Sequence, residues 1–163
     1  MTGSDEKARR VLQECAGRGW SLSVAESCTG GLVGGCLTSI PGSSNVFLGG
    51  VIAYSNWLKI RLLGVPSEII DARGAVSEET ALAMARGAVN LTGADCGISV
   101  TGIAGPDGGT PEKPVGTVWF AVVSPLAEVS RSYLFQGERE EVRRWSVRAA
   151  LDLFLEALDR GSV

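Results

Sequence analysis

The chain contains no histidine and only three lysines, Lys7, Lys59 and Lys113. Without imidazole there is no Ser-His-Asp triad, no Cys-His dyad and no HExxH metal site. Proton transfer in an enzyme of this composition falls to carboxylates, Lys, Tyr, Cys, a substrate group or water. Three segments concentrate the usable groups. The first is Ala25-Glu26-Ser27-Cys28-Thr29-Gly30-Gly31, where a strand hands over to a helix. Backbone N–H groups of a first helical turn point outward and favour negative charge. A hydroxyl at that junction could attack a carbonyl while those N–H groups hold the oxyanion. The glycines let a ligand approach the backbone closely. The plainer reading makes Ser27 and Thr29 helix caps. It also makes Cys28 a buried small hydrophobe rather than a rival nucleophile.

The second segment is Tyr54-Ser55-Asn56-Trp57-Leu58-Lys59. Lys59 has Trp57, Leu58, Ile60 and Leu62 as neighbours, and apolar surroundings let a lysine lose its proton near neutral pH and act as a base. The alternative is a lysine snorkelling from the surface of a short helix. Ser27 and Lys59 are too far apart in sequence to share a helical turn. Any pair between them must be built by two strand-to-helix loops that meet.

The third segment is Thr101-Gly102-Ile103-Ala104-Gly105-Pro106-Asp107-Gly108-Gly109. Its N–H groups, free of bulky side chains, suit a phosphate or another anion. No Gly-Lys-Ser/Thr follows, so it is not a P-loop, and it holds no GxGxxG fingerprint. The plainer reading is a turn-rich loop, stiffened by Pro111 and Pro114 and carrying Lys113. Further on, Arg139, Arg143, Arg144 and Arg148 could fork onto a phosphate. Glu140 and Arg144 could equally form an ordinary i,i+4 pair.

These segments need elements to position them. Apolar periodicity predicts helices over Ser4–Arg18, Thr29–Thr38, Ser55–Leu63, Ser77–Leu91 and Arg139–Leu158. Their inner faces are Val11, Leu12 and Cys15; Leu32, Val33, Cys36 and Leu37; Ala81, Met84, Ala85 and Ala88; and Val147, Leu151, Phe154 and Leu158. Strands are predicted over Ser21–Ala25, Val46–Tyr54, Cys96–Val100, Thr117–Val123 and Val129–Phe135. The adjacent strands from Thr117 and Val129 form an antiparallel pair. Near-continuous apolar strands between amphipathic helices imply a sheet covered on both faces, with mixed strand directions.

Composition narrows the partners. The 163 residues carry a net charge of −3, with 45% hydrophobic and 20% charged residues. That is a globular chain rather than a disordered one. The acidic balance disfavours a large duplex-DNA surface. The 22 glycines show no triplet period, so collagen is excluded. Four cysteines, at 15, 28, 36 and 96, form no CxxC pair and match no zinc spacing. They read as free thiols in a reducing cytoplasm. The start of the chain lacks the apolar core of a signal peptide, and no apolar run is long enough to span a membrane.

The motifs AESCTGG, IPGSSNVF, GVIAYSNWLK, GAVSEETA, VTGIAGPDGG and KPVGTVWFA occur in that order. Together they resemble the CinA C-terminal domain family, the bacterial nicotinamide-nucleotide amidases, over about residues 7–158. The resemblance implies a three-layer α/β/α sandwich with a mixed, mostly parallel sheet, as a single domain over 1–163. It implies hydrolysis of the carboxamide of nicotinamide mononucleotide to nicotinic acid mononucleotide and ammonia. By the same resemblance, Ser27 matches the nucleophile, Lys59 the base and Tyr54 a supporting hydroxyl. Cys28, Thr29, Gly30, Thr101, Gly102, Ile103, Ala104, Gly105, Arg139 and Arg143 match the substrate-binding positions. No metal and no cofactor is implied. The expected partner is a small nucleotide substrate, without nucleic acid or membrane, in a cytoplasmic homo-oligomer. The additional N-terminal nucleotide-processing domain of many members is expected to be absent. Two other functions compete with this one: a catalytically silent nucleotide-binding module, and a structural subunit whose glycine loop is an interface.

Overall fold

Alternation of apolar and small residues along the strands gives the sheet two unlike faces, and the helices sort accordingly. In the computed structural model, which describes residues 3–160, the chain forms α1 (Gly3–Arg18), β1 (Leu22–Glu26), α2 (Leu32–Thr38) and a 3-10 turn (Ser43–Asn45). There follow β2 (Phe47–Ile52), α3 (Asn56–Leu63), α4 (Ser67–Arg73) and α5 (Glu78–Thr92). The remainder is β3 (Cys96–Gly102), β4 (Thr117–Val123), β5 (Glu128–Leu134) and α6 (Arg139–Arg160). The sheet order is β2-β1-β3-β4-β5. β1 is parallel to β2 and β3, and β4 is antiparallel to β3 and β5. Four strands therefore run one way and β4 opposes them. Helices α1, α2 and α6 cover one face, and α3, α4 and α5 the other. This is the expected three-layer α/β/α sandwich with a mixed sheet, and the antiparallel β4–β5 pair is as read from the sequence.

One face carries large side chains. Leu22, Val24, Ile98, Val100 and Phe120 are buried against Val11, Leu151 and Phe154. The opposite face is built from Ala25, Gly97, Ser99 and Ala121, beneath Ala81, Ala85 and Ala88 of α5. Small residues let α5 lie almost on the sheet backbone. A Cβ on Gly97 would stand 2.6 Å from the carbonyl oxygen of Ala85. The Ser99 hydroxyl donates to the Ala81 carbonyl at 2.6 Å. The same closeness holds between α5 and α3, where a Cβ on Gly87 would fall 2.0 Å from the Leu63 carbonyl oxygen.

Three expectations change. Helix α2 starts at Leu32, not Thr29, because Gly30 (φ 56°) and Gly31 (φ 102°) adopt left-handed conformations that a right-handed helix cannot include. Of its expected inner face only Val33 and Leu37 are buried, and Leu32 is 42% exposed. Helix α4 is additional; it buries no residue and so leaves no amphipathic signature.

The α3–α5 contact yields a prediction of sign. Gly→Ala inside a helix ordinarily adds about 1 kcal/mol of stability. At Gly87 the added methyl meets backbone, so Gly87→Ala is expected to destabilise by about 1–3 kcal/mol in urea unfolding. Gly17→Ala in α1, whose Cβ would meet nothing within 4 Å, is the matched control and is expected to hold or raise stability.

Candidate active site

The two-residue period of β1 sets the first side chains. Leu22 and Val24 enter the core beneath α1 and α6, and Glu26 continues on that side to meet α2. Ser27 falls to the other side, towards α3. The end of the strand is pinned on both flanks. The Ser27 N–H donates to the Val100 carbonyl at 2.9 Å, and the Ala53 N–H donates to the Glu26 carbonyl at 2.8 Å. Ser55 caps α3 by accepting from the Leu58 N–H at 3.2 Å. One turn in, this helix drives Lys59 beneath the surface.

Lys59 is only 1% exposed, so it is not a snorkelling surface residue. Its Nζ lies 3.0 Å from Ser27 Oγ, 2.9 Å from the Ala53 carbonyl oxygen and 3.3 Å from the Tyr54 carbonyl oxygen. It makes no ion pair among the described residues. Burial holds its pKa below the ordinary lysine value. A neutral amine has two N–H donors and one lone pair. The two carbonyls can only accept, so they take both donors. In that form the lone pair is left for the Ser27 hydroxyl to donate to, whereas an ammonium would donate to all three oxygens. Cys28 is no match as a nucleophile, because burial pushes its thiol up to about 12.

Neither Ser27 nor Thr29 caps α2. The cap position is Gly31, without a side-chain bond. Glu26 fills the role instead: its carboxylate accepts from the N–H groups of Val33 at 2.9 Å and Gly34 at 3.0 Å. It also accepts from the Thr29 hydroxyl at 2.6 Å. Sequence reasoning missed Glu26. An acidic residue just before a double glycine and a short helix was the available signal. Of the expected oxyanion donors, the Gly30 N–H is committed to the Ser27 carbonyl. The N–H groups of Cys28 and Thr29 donate to no backbone carbonyl among the described residues.

Helix α6 contributes from the far side of the chain. Arg139 donates to the Gly105 carbonyl at 2.6 Å and to the Tyr54 hydroxyl at 3.0 Å. Arg143 donates to the carbonyls of Cys28 at 3.0 Å and Thr29 at 3.3 Å. Glu140 and Arg144 make no ion pair among the described residues. Tyr54 reaches Lys59 through its backbone carbonyl, while its hydroxyl is with Arg139.

A cavity of about 170 Å³ brings together Ser27, Cys28, Tyr54, Lys59, Thr101, Gly102, Ala104 and Arg139. Asn56, Ala75 and Val76 also line it and were not anticipated. Thr29, Gly30, Ile103, Gly105 and Arg143 lie outside this lining. Several glycines of the third segment serve close packing: a Cβ on Gly102 would meet Val118 at 2.7 Å, and one on Gly105 would meet Val115 at 2.5 Å. Thr101 donates to the Ala75 carbonyl at 2.8 Å, tying β3 to the entrance of α5. Trp57 is 66% exposed and does not line the cavity. Among the described residues no cluster of three or more Cys, Asp or Glu could hold a metal ion, and no helix is long and apolar enough to cross a membrane.

The buried amine predicts a pH-dependent stability. The unfolded chain keeps this proton up to about 10.5, whereas the folded protein releases it at lower pH. Between those values the unfolded state binds more protons, so stability rises with pH, by at most about 1.4 kcal/mol per unit. Urea unfolding at stepped pH is expected to show this rise in the stability of the parent protein relative to Lys59→Met, a difference from which the opposing titration of the buried Cys28 thiol cancels.

Comparison with known proteins places this geometry. The sequence model described as the CinA C-terminal domain matches residues 4–158. A CinA-like protein of Gemmatimonas aurantiaca is 55% identical over 159 residues, covering 97% of this chain and 37% of that protein. The chain thus spans little more than a third of the length of the curated relatives it matches. The crystal structure of the competence/damage inducible protein CihA from Agrobacterium tumefaciens superposes with a TM-score of 0.93 at 41% identity, covering 96% of each chain. That of the competence damage-inducible protein A from Klebsiella pneumoniae gives 0.92 at 35% identity, covering 97% of this chain and 98% of that one. This chain belongs to the CinA C-terminal domain family.

Proposed function

We propose that this chain is a serine amidohydrolase that converts nicotinamide mononucleotide to nicotinic acid mononucleotide and ammonia. The observation that carries the reaction class is the buried Lys59 Nζ at 3.0 Å from Ser27 Oγ, with no ion pair to it among the described residues. The substrate is the one that the resemblance of the sequence motifs implies, and membership of the CinA C-terminal domain family supports that reading. Neutral Lys59 takes the Ser27 proton as Oγ bonds to the carboxamide carbon. The backbone N–H group of Cys28, a residue of the cavity wall, stabilises the oxyanion. Protonated Lys59 then gives its proton to the departing nitrogen, the C–N bond breaks and ammonia leaves. Water, deprotonated by Lys59, attacks the resulting ester. Its collapse releases the carboxylate and returns the proton to Ser27. No step calls for a metal or a resident cofactor. Arg139 at the cavity wall supplies positive charge towards the nucleotide. The reading assigns one catalytic domain over 1–163, working on a small molecule in the cytoplasm as a homo-oligomer.

Ammonia release from nicotinamide mononucleotide by the purified chain tests this directly. Ser27→Ala and Lys59→Met are each expected to lower kcat by about a thousandfold or more. The parent kcat/KM is expected to rise with pH through one ionisation below 10.5, that of Lys59. Turnover that survives Ser27→Ala would move the nucleophile to Cys28. No turnover by the parent protein, with tight nucleotide binding, would make the chain a silent binding module instead.

A further inference from the structure

We propose that Glu26 and Arg143 act as a pair of positioning residues that hold the Ser27–Gly31 turn in shape for acyl transfer. This rests on the serine amidohydrolase reading and adds two residues to it that need not touch the substrate. Glu26 is 2% exposed and makes no ion pair among the described residues. A buried carboxylate is tolerated only when fully hydrogen-bonded. All three donors that satisfy its side chain come from residues 29–34, the segment just after Ser27. Its backbone carbonyl meanwhile accepts from Ala53, whose own carbonyl holds Lys59. One residue thus ties the turn, the start of α2 and the lysine cradle together.

Arg143 works from the outside. A trans peptide sets its C=O and N–H in opposite directions. The Cys28 carbonyl accepts from Arg143, so the N–H of Thr29 faces away from the guanidinium. The Ser27 carbonyl accepts from Gly30, so the N–H of Cys28 faces away from that bond. The N–H group left for an oxyanion, that of Cys28 at the cavity wall, is therefore aimed by the bond to the carbonyl of its own peptide, and the peptide that follows is fixed by Arg143. Left-handed Gly30 and Gly31 allow this path but do not enforce it. The enforcement comes from Glu26, through the Thr29 hydroxyl and α2, and from Arg143, through the Cys28 and Thr29 carbonyls. Arg143 lines a second, larger groove between α1, α2 and α6, not the cavity that holds Ser27.

The test is the rate at which a small alkyl fluorophosphonate labels Ser27, followed by intact mass. The Oγ–P bond forms, the P–F bond breaks, fluoride leaves and the serine proton passes to Lys59. The probe has no ribose or phosphate ester, so nucleotide contacts of Arg143 do not enter. Glu26→Gln and Arg143→Met are both expected to label about tenfold or more slowly per folded molecule. The pH of half-maximal labelling, set by Lys59, is expected to stay that of the parent. Arg143→Lys, which can reach only one carbonyl as a point donor, is expected to recover part of the rate. If Glu26→Gln does not fold, half-buried Arg143→Met decides alone. Labelling of Arg143→Met, or of folded Glu26→Gln, at the parent rate overturns the proposal and leaves the amidohydrolase reading intact. A parent protein that the probe does not label overturns the reading of Ser27 as nucleophile, and the proposal with it.

Discussion

A primary amine sits out of water among three oxygens, and the rest of the site is arranged around that fact. Holding Lys59 as an ammonium at 1% exposure would carry a desolvation cost of several kcal/mol with no ion pair among the described residues to offset it. In the neutral form the two carbonyls would take its donors and the one hydroxyl would meet its lone pair. The hydroxyl is Ser27. In the proposed reaction, burial of the base and activation of the nucleophile would be one interaction. That reaction would need no histidine, and the chain has none.

Three chain segments must converge to within a hydrogen bond for this to happen, and the fold supplies them at one end of the sheet. β1, β2 and β3 are parallel, and each leaves the sheet beside the cavity, at Ser27, Ala53 and Gly102. Ligand crevices in open α/β sheets lie beyond such carboxyl ends. The small-residue face completes the arrangement. Because Gly97, Ala121 and Ala85 admit α5 close to the strands, and Gly87 admits α3 close to α5, Lys59 can reach back to β1. Larger residues at those positions would lift α3 and open the distance between amine and hydroxyl.

Much of this was legible in the sequence, and the exceptions share a cause. The strands, α5 and α6 follow apolar periodicity that long-range packing then satisfies. Ser27 and Lys59 stood out because a serine before glycines and a lysine among apolar residues are locally odd. Capping by Ser27 and Thr29 was the local expectation, but Glu26, arriving from a strand, out-competes both with two oxygens that accept from two N–H groups at once. The side chain of Tyr54 drew attention, while its carbonyl is what touches Lys59. Backbone groups carry no residue-type signature. The destination of Arg143 depends on how α6 crosses α2, which no local pattern encodes.

The central claim is that Lys59 is a neutral amine at the pH where the protein works. With only three lysines in the chain, ¹³Cε labelling gives a spectrum simple enough to assign by substitution. NMR titration of the folded protein is predicted to show Lys59 losing its proton below 10.5. In Ser27→Ala its resonance is predicted to shift, since the hydroxyl bond to Nζ is gone. A Lys59 resonance that titrates at or above 10.5 would contradict the account, because an ammonium at that site has no lone pair to activate Ser27.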